Sequence, residues 1–144
     1  MEDYDIRKYR VEIAELLSVK VDDVDIVAES TTAGYKGFHW ITRLKLFGSH
    51  VAHGYLIPMP GCCGVIVSTE AYVNYDQRGK GIGDVMHRLR IELAADRGYT
   101  CMICTDITAN EPQAKIIKKN GWKLVHDFNN KRTANPVSIH VRAV

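Results

Sequence analysis

Three glycines and two cations lie close together just past the middle of the chain. They occupy the stretch Arg78, Gly79, Lys80, Gly81, Ile82 and Gly83. Glycine leaves the backbone open to a ligand and permits a positive φ, and a helix that follows presents unpaired N–H groups and the positive end of its dipole. An anion, above all a phosphate, fits such a loop. A plain connecting turn is the alternative, but such a turn rarely needs three glycines in five residues flanked by two cations.

Two common phosphate-binding patterns do not match this loop. The P-loop pattern requires Gly-Lys followed by Ser or Thr, which the chain lacks. The dinucleotide fingerprint matches at Gly79 and Gly81, but Asp84 stands where its last glycine belongs. That fingerprint also follows a first strand, whereas this loop comes late in the chain. Nucleoside triphosphates and NAD(P) are therefore poor fits.

Composition and charge limit the class of protein. The 144 residues, 46% hydrophobic and 25% charged, predict one globular domain over residues 1–144. A formal net charge of +2 and the lack of a long apolar run argue against nucleic-acid and membrane partners. The N-terminal segment MEDYDIRKYR has no apolar signal core, so we expect a cytoplasmic protein.

Cysteines and histidines raise the question of a metal site. The four cysteines are Cys62, Cys63, Cys101 and Cys104. The first two are adjacent, which chelates poorly, and the last two lie three apart on a predicted strand, so they point to opposite faces. His50 and His53 have no third ligand nearby and are interpreted as exposed strand or turn residues. We therefore predict free thiols and no metal.

Periodicity predicts the elements that position the loop. Helices are expected over residues 5–17, 84–97 and 110–120, the first capped by Asp5 and with Ile6, Tyr9, Ile13, Leu16 and Leu17 on one apolar stripe. Strands are expected over residues 24–32, 38–47, 50–57, 64–74, 99–105, 122–128 and 137–141. The alternation of strands and helices in the second half predicts an α/β domain whose sheet has parallel crossovers and ends in an antiparallel pair.

Several motifs at consistent spacing resemble those of the GCN5-related N-acetyltransferases (the GNAT superfamily). The loop from Arg78 to Gly83 is similar to the family's Arg/Gln-x-x-Gly-x-Gly/Ala signature. Upstream, the segment from Glu70 to Val73 resembles its Glu-x-x-Val strand. Downstream, the family's Asn…Ala…Gly-Phe/Trp pattern has counterparts in Asn110, Ala114, Gly121 and Trp122. The similarity covers residues 64–128 well and the remainder loosely.

This resemblance implies a fold, a cofactor and a site. The fold would be a central, mixed, twisted sheet flanked by helices, with acetyl-CoA wedged where the parallel strands 64–74 and 99–105 separate. The backbone of Ala71, Tyr72 and Val73 would pair with the pantetheine arm, which Asn110 would also approach. The diphosphate would be bound by the loop residues 78–83 and the N–H of Asp84. The protein would be a monomer or a homodimer.

The implied reaction is direct transfer of the acetyl group from the thioester to a primary amine in a ternary complex. Glu70 is the candidate general base, although it could instead orient a loop or bind a cationic substrate. The acceptor, a small molecule or a peptide, would contact residues 32–38, 50–54 and 129–136.

One departure from the family pattern concerns the acid. Many members have a tyrosine four residues before the glycine that ends the last helix, and Ile117 stands there in this chain. Tyr72, Tyr75 and Cys104 are candidate replacements, and solvent is another proton source. The alternative is a non-catalytic acyl-CoA-binding or regulatory module on the same fold.

Overall fold

The computed structural model describes residues 1–144, apart from the side chain of Tyr4. Its helices are α1 (Asp3–Leu17), α2 (Ile82–Asp96) and α3 (Glu111–Lys119). Its strands are β1 (Val24–Thr31), β2 (His39–Leu46), β3 (Ser49–Pro58), β4 (Val65–Val73), β5 (Cys101–Ile107), β6 (Lys123–Asn129) and β7 (Pro136–Ala143). Each predicted helix and strand is present, with ends that differ by a few residues. No helix in the described part of the chain is long and apolar enough to cross a membrane.

The strands form one mixed sheet in the order β1-β2-β3-β4-β5-β7-β6. β4 and β5 are parallel, and the other neighbouring strands are antiparallel. Two neighbouring parallel strands need a crossover connection between them. Helix α2 forms this connection between β4 and β5. This arrangement confirms the predicted mixed α/β sheet with its closing antiparallel pair.

The parallel strands separate halfway along their length. β4 pairs with β5 only from Val65 to Ser68, which lies opposite Cys104. The rest of β4 pairs with β3 alone, and the rest of β5 pairs with β7. The backbone edge of β4 after Ser68 therefore faces the gap between the two strands, as the family resemblance implies for strands 64–74 and 99–105.

A β-bulge interrupts β4 where it leaves β5. His53 pairs with Tyr72 and Tyr55 with Thr69, so Gly54 on β3 faces two residues on β4, Glu70 and Ala71. Glu70 has a φ of 51°, in the left-handed region that non-glycine residues seldom adopt. The bulge turns the Glu70 side chain out of the regular alternation of the strand.

The central helix α2 packs against α1, α3, β3 and β4. Two core clusters meet on it: Met86 and Leu89 pack with residues of α1 and β1–β3, whereas Leu93 packs with residues of β5 and α3. Since the cores on both sides hold α2, its first turn is fixed relative to the sheet. This turn begins at Ile82, two residues before the predicted start, so part of the glycine loop belongs to the helix.

Two expectations for α1 are wrong. Asp5 does not cap the helix, which begins at Asp3 and makes no side-chain cap bond. Asp3 and Asp5 instead lie in the first turn, where carboxylates interact favourably with the helix dipole. Leu16 is 46% exposed, while Ala14 is buried, so the buried stripe is rotated from the predicted one.

Buried His87 makes stability depend on pH. Trp122 Nε1 donates to His87 Nε2 at 2.8 Å, and burial lowers the pKa of His87 to about 3. In the unfolded chain, His87 takes up a proton as the pH falls through about 6.5, whereas in the folded chain it stays neutral until about pH 3. The free energy of unfolding therefore decreases as the pH falls below about 6.5. We expect urea unfolding to show a loss of about 2 kcal/mol between pH 7 and 5 that His87→Gln removes. If wild type and His87→Gln lost the same free energy of unfolding over this pH range, other titrating groups would cause the effect.

Candidate functional site

A large cavity opens where β4 and β5 separate. Its volume is about 620 Å³. The glycine loop and the first turn of α2 form one part of its wall, the free end of β4 another, and the start of α3 a third. It is lined by His53, Ala71, Tyr72, Val73, Gln77, Arg78, Gly79, Gly81, Ile82, Gly83, Asp84, Met86, Arg90, Asn110, Pro112, Gln113, Lys115 and Ile116.

The predicted cofactor residues, apart from Lys80, line this single cavity. They come from β4, the loop, α2 and the start of α3. Asn110 is the N-cap of α3, where its Oδ1 accepts a hydrogen bond from the Gln113 N–H at 3.3 Å. The Lys80 ammonium lies outside the lining and donates to Gln77 Oε1 at 3.0 Å.

The glycine loop presents backbone to the cavity. Gly79 and Gly81 have φ values of 77° and 91°, which a residue with a Cβ would adopt only with strain. Gly81 is the N-cap of α2 and has no side chain to satisfy the first N–H groups of the helix. Arg78 is drawn towards β4, since its Nε donates to Val73 O at 2.8 Å and its guanidinium carbon lies 5.5 Å from the Tyr72 ring centre.

The Asp84 side chain links the first turn of α2 to the end of α3 and to the next turn of α2. Its carboxylate accepts hydrogen bonds from Asn120 at 2.9 Å, Lys119 at 3.0 Å and Arg88 at 3.1 Å. Burial opposes ionisation of this carboxyl, but the three donors outweigh burial and lower its pKa. The negative charge of Asp84 is therefore compensated by cations, which leaves the N-terminus of α2 able to attract an anion.

Gly83 marks a narrow point between β4 and α3. A Cβ at this position would lie 3.3 Å from Ile116 Cδ1 and 3.8 Å from Val73 Cγ2. The φ of Gly83 is not positive, so glycine is not needed here for the backbone conformation. Its lack of a side chain instead lets Ile116 and Val73 lie close to the backbone. A larger residue would fill the space between the loop and α3.

Glu70 lines neither the main cavity nor a second, smaller one, but it contacts two residues that line the second. Its carboxylate accepts a hydrogen bond from the Tyr35 hydroxyl at 3.2 Å and lies 3.2 Å from the Lys36 ammonium. Lys36 also donates to the Tyr35 hydroxyl, and this bond raises the pKa of Lys36. The cavity, about 240 Å³, is lined by Glu29, Thr31, Ala33, Gly34, Tyr35, Lys36, His39, Ile41, Arg43 and Tyr55. Of the predicted acceptor segments, 32–38 contributes residues to this cavity, and 50–54 contributes His53 to the main cavity. Segment 129–136 lines neither.

Tyr72 and His53 stack on one wall of the main cavity. Their ring centres are 5.4 Å apart with an interplanar angle of 25°. Burial, and then the neighbouring His50, lower the pKa of His53. The expectation that both histidines are exposed is wrong for His53, because its pairing with Tyr72 across the β3–β4 ladder turns it into the cavity.

The other candidate proton donors lie away from the cavity lining. Tyr75 is 85% exposed, and Cys104 is buried with a pKa raised to about 12 by burial and by Asp106. Ile117 belongs to the core cluster that contains Trp122. Tyr72 is therefore the predicted donor that lines the main cavity.

Sequence reasoning missed Arg90, which also lines the main cavity. Arg90 is 2% exposed and lies on the buried side of α2, between Leu89 and Ile91. One sequence signal was available: a cation at this point interrupts the apolar stripe of the helix. The residues that the structure describes include no group of three or more His, Cys, Asp or Glu side chains that could hold a metal ion.

No protein-family model matches the sequence, and no curated protein matches it. Solved structures match in fold. A GNAT family acetyltransferase from Elizabethkingia anophelis with acetyl-CoA bound aligns with a TM-score of 0.71 at 10% identity, over 85% of this chain and 99% of that one. An IAA acetyltransferase from Bacillus cereus aligns with a TM-score of 0.66 at 14% identity, over 83% of this chain and 100% of that one. The ribosomal-protein-S18-alanine N-acetyltransferase from Escherichia coli aligns with a TM-score of 0.66 at 12% identity, over 78% and 72%. The chain thus has the fold of the GNAT-family acetyltransferases.

Proposed function

We propose that the chain is an N-acyltransferase that takes an acyl group from coenzyme A, with acetyl-CoA as the simplest donor, and transfers it to a primary amine. One observation carries the proposal. A single cavity joins the glycine loop and the N-terminus of α2 to the unpaired edge of β4. Such a cavity suits a long ligand with an anionic group at one end and amide groups along its arm.

The loop end suits the diphosphate of coenzyme A. Gly79 and Gly81 leave their backbone open, and the first turn of α2 offers N–H groups and the helix dipole. Arg78 and Lys115 contribute positive charge to the wall. The acetyl-CoA bound to the Elizabethkingia relative supports this ligand.

The β4 end suits the pantetheine arm and the thioester. Ala71, Tyr72 and Val73 line the cavity, and their backbone lies beyond the last pairing with β5. Amides of the ligand can therefore add to this edge as a further strand would. A backbone N–H of the same strand would polarise the thioester carbonyl, which is the role of an oxyanion hole.

In this proposal, the amine enters from the second cavity, which Tyr35 and Lys36 beside Glu70 line. In the transfer, the amine nitrogen forms a bond to the thioester carbon, the carbon–sulfur bond breaks, and the electron pair leaves with sulfur. Glu70, which reaches the lining of the second cavity, would take the amine proton directly or through a water. Tyr72 would return a proton to the thiolate, or solvent would do so.

A second candidate is an acyl-CoA-binding module without turnover. Its support is Ile117, a buried core residue where many GNAT enzymes carry a tyrosine. Both functions need the same cofactor cavity, so they differ only in the transfer step.

Calorimetry with acetyl-CoA, coenzyme A and ATP, followed by thiol release over a panel of amines, tests the two candidates. We expect both coenzyme A species to bind in the micromolar range, at least about tenfold more tightly than ATP, because only they fill the β4 end. Lack of binding by both would contradict both candidates. Tight binding without thiol release would favour the non-catalytic module.

A further inference from the structure

Arg90 places a buried positive charge at the inner end of the main cavity. Its Nε donates to Ser68 Oγ at 3.2 Å. Within the described part of the chain, no carboxylate forms a salt bridge with its guanidinium, and the nearest thiol that could carry charge is Cys104. Cys104 stays neutral, because its pKa is raised to about 12.

An unpaired buried charge is costly. Moving one ion out of water costs several kcal/mol even after the protein relaxes. Burial lowers the pKa of Arg90 to about 10, which still leaves the guanidinium charged at neutral pH. A cation without an anionic partner, in the wall of a cavity, therefore favours an anion as part of the ligand.

Two neighbouring residues, Gly54 and Ser68, make room for the Arg90 guanidinium and fix its position in the cavity wall. Gly54 lies against it, and a Cβ on Gly54 would be 2.6 Å from Arg90 Nη1. Ser68, its hydrogen-bond partner, is the last residue of β4 that pairs with β5. The guanidinium thus lies where the strands separate, about two turns along α2 from the glycine loop and from the diphosphate proposed to bind there.

We propose that Arg90 binds a carboxylate carried by the acyl group, so that the donor is the coenzyme A thioester of a dicarboxylic acid. This inference rests on the proposed function and names the acyl group that the proposed function leaves open. A guanidinium matches a carboxylate through two parallel N–H···O bonds. The acyl group ends the pantetheine arm, away from the diphosphate, and Arg90 lies beside Ser68, about two turns of α2 from the glycine loop.

A carboxylate on the acceptor is the other source of the same chemistry. In the proposed function, the acceptor approaches from the second cavity, which Tyr35 and Lys36 line. Arg90 lines the main cavity, which favours the donor.

Calorimetry with succinyl-CoA and butyryl-CoA tests the proposal, since their acyl groups have the same four carbons and differ in the terminal carboxylate. We expect wild type to bind succinyl-CoA or the shorter malonyl-CoA at least about tenfold more tightly than butyryl-CoA, which corresponds to about 1.4 kcal/mol. Arg90→Gln should abolish the preference and keep the affinity for coenzyme A within about threefold. Arg97→Gln, an exposed arginine at the end of the same helix, should keep the preference.

Equal binding of butyryl-CoA and both dicarboxylic thioesters by wild type would overturn the proposal, even if Arg90→Gln failed to fold. A preference that survives in folded Arg90→Gln would also overturn it. If Arg90→Gln lowered turnover equally with every donor, the guanidinium would serve the leaving thiolate. If it removed only the use of amino acid acceptors, the carboxylate would belong to the acceptor. Failure of coenzyme A itself to bind would instead contradict the proposed function.

Discussion

Replacing Glu70 with Gln is expected to lower kcat by about 10²- to 10⁴-fold, the usual contribution of a general base, with little change in the affinity for acetyl-CoA. The bulge in β4 holds Glu70 at a φ of 51°, and Glu70 does not line the main cavity. Its carboxylate meets Tyr35 and Lys36 beside the second cavity. Glutamine keeps the shape and can still accept from Tyr35, so the change removes the basicity and the negative charge of the side chain while keeping its size.

Steady-state kinetics at saturating acetyl-CoA measure the effect, and calorimetry measures the donor affinity. Glu92→Gln is the matched control, because Glu92 is also exposed to solvent and paired with a lysine, Lys8, at 2.6 Å. This control should retain wild-type turnover. A raised KM for the amine with unchanged kcat would show that Glu70 binds a cationic acceptor, and unchanged kinetics would remove it from the mechanism.

Replacing Gly83 with Val is expected to weaken binding of coenzyme A by at least about 100-fold, equivalent to about 2.7 kcal/mol. A single Cβ at this position already lies 3.3 Å from Ile116 Cδ1 and 3.8 Å from Val73 Cγ2. The two further methyl groups of valine would fill the gap between β4 and α3 or push α3 away from the loop. Either result removes the close approach of the ligand to the first turn of α2.

Calorimetry of a small series resolves the steric cause. Gly83→Ala should fall between wild type and Gly83→Val, and Ile116→Ala in the Gly83→Val background should recover part of the affinity, because it removes the opposing methyl group. Ala95→Val, on the exposed side of the same helix, controls for the poorer helix propensity of valine and should bind normally. Wild-type affinity in Gly83→Val would place the diphosphate elsewhere.

The fold was predictable largely because its signals are local. Alternating β-branched residues, the glycine stretch and the apolar stripe of α2 each occur within about fifteen residues. The errors arose where the tertiary structure decides the outcome. Leu16 follows the helical period of α1, but the angle at which α1 packs leaves Leu16 exposed and buries Ala14.

The site was predictable in part for a related reason. The loop residues and Ala71 to Val73 belong to contiguous motifs, whereas His53 and Arg90 reach the cavity through the register of β3 and the rotation of α2. Sequence spacing does not specify which β3 residue lies opposite the bulge. Nor does it reveal that a cation in an apolar stripe lacks an anionic partner, since that depends on every neighbouring side chain.

The rigidity of α2 has a consequence for which ligands can be selected. With a rise of about 1.5 Å per residue, the eight residues from Ile82 to Arg90 fix a separation of about 12 Å along the helix axis. The helix therefore sets the distance between the proposed anion site at its first turn and Arg90. A small dianion could reach only one of these two sites at a time and would bind weakly. Only a molecule whose two negative charges have the matching separation would bind at both sites at once. The helix α2 would therefore select ligands by length as well as by charge.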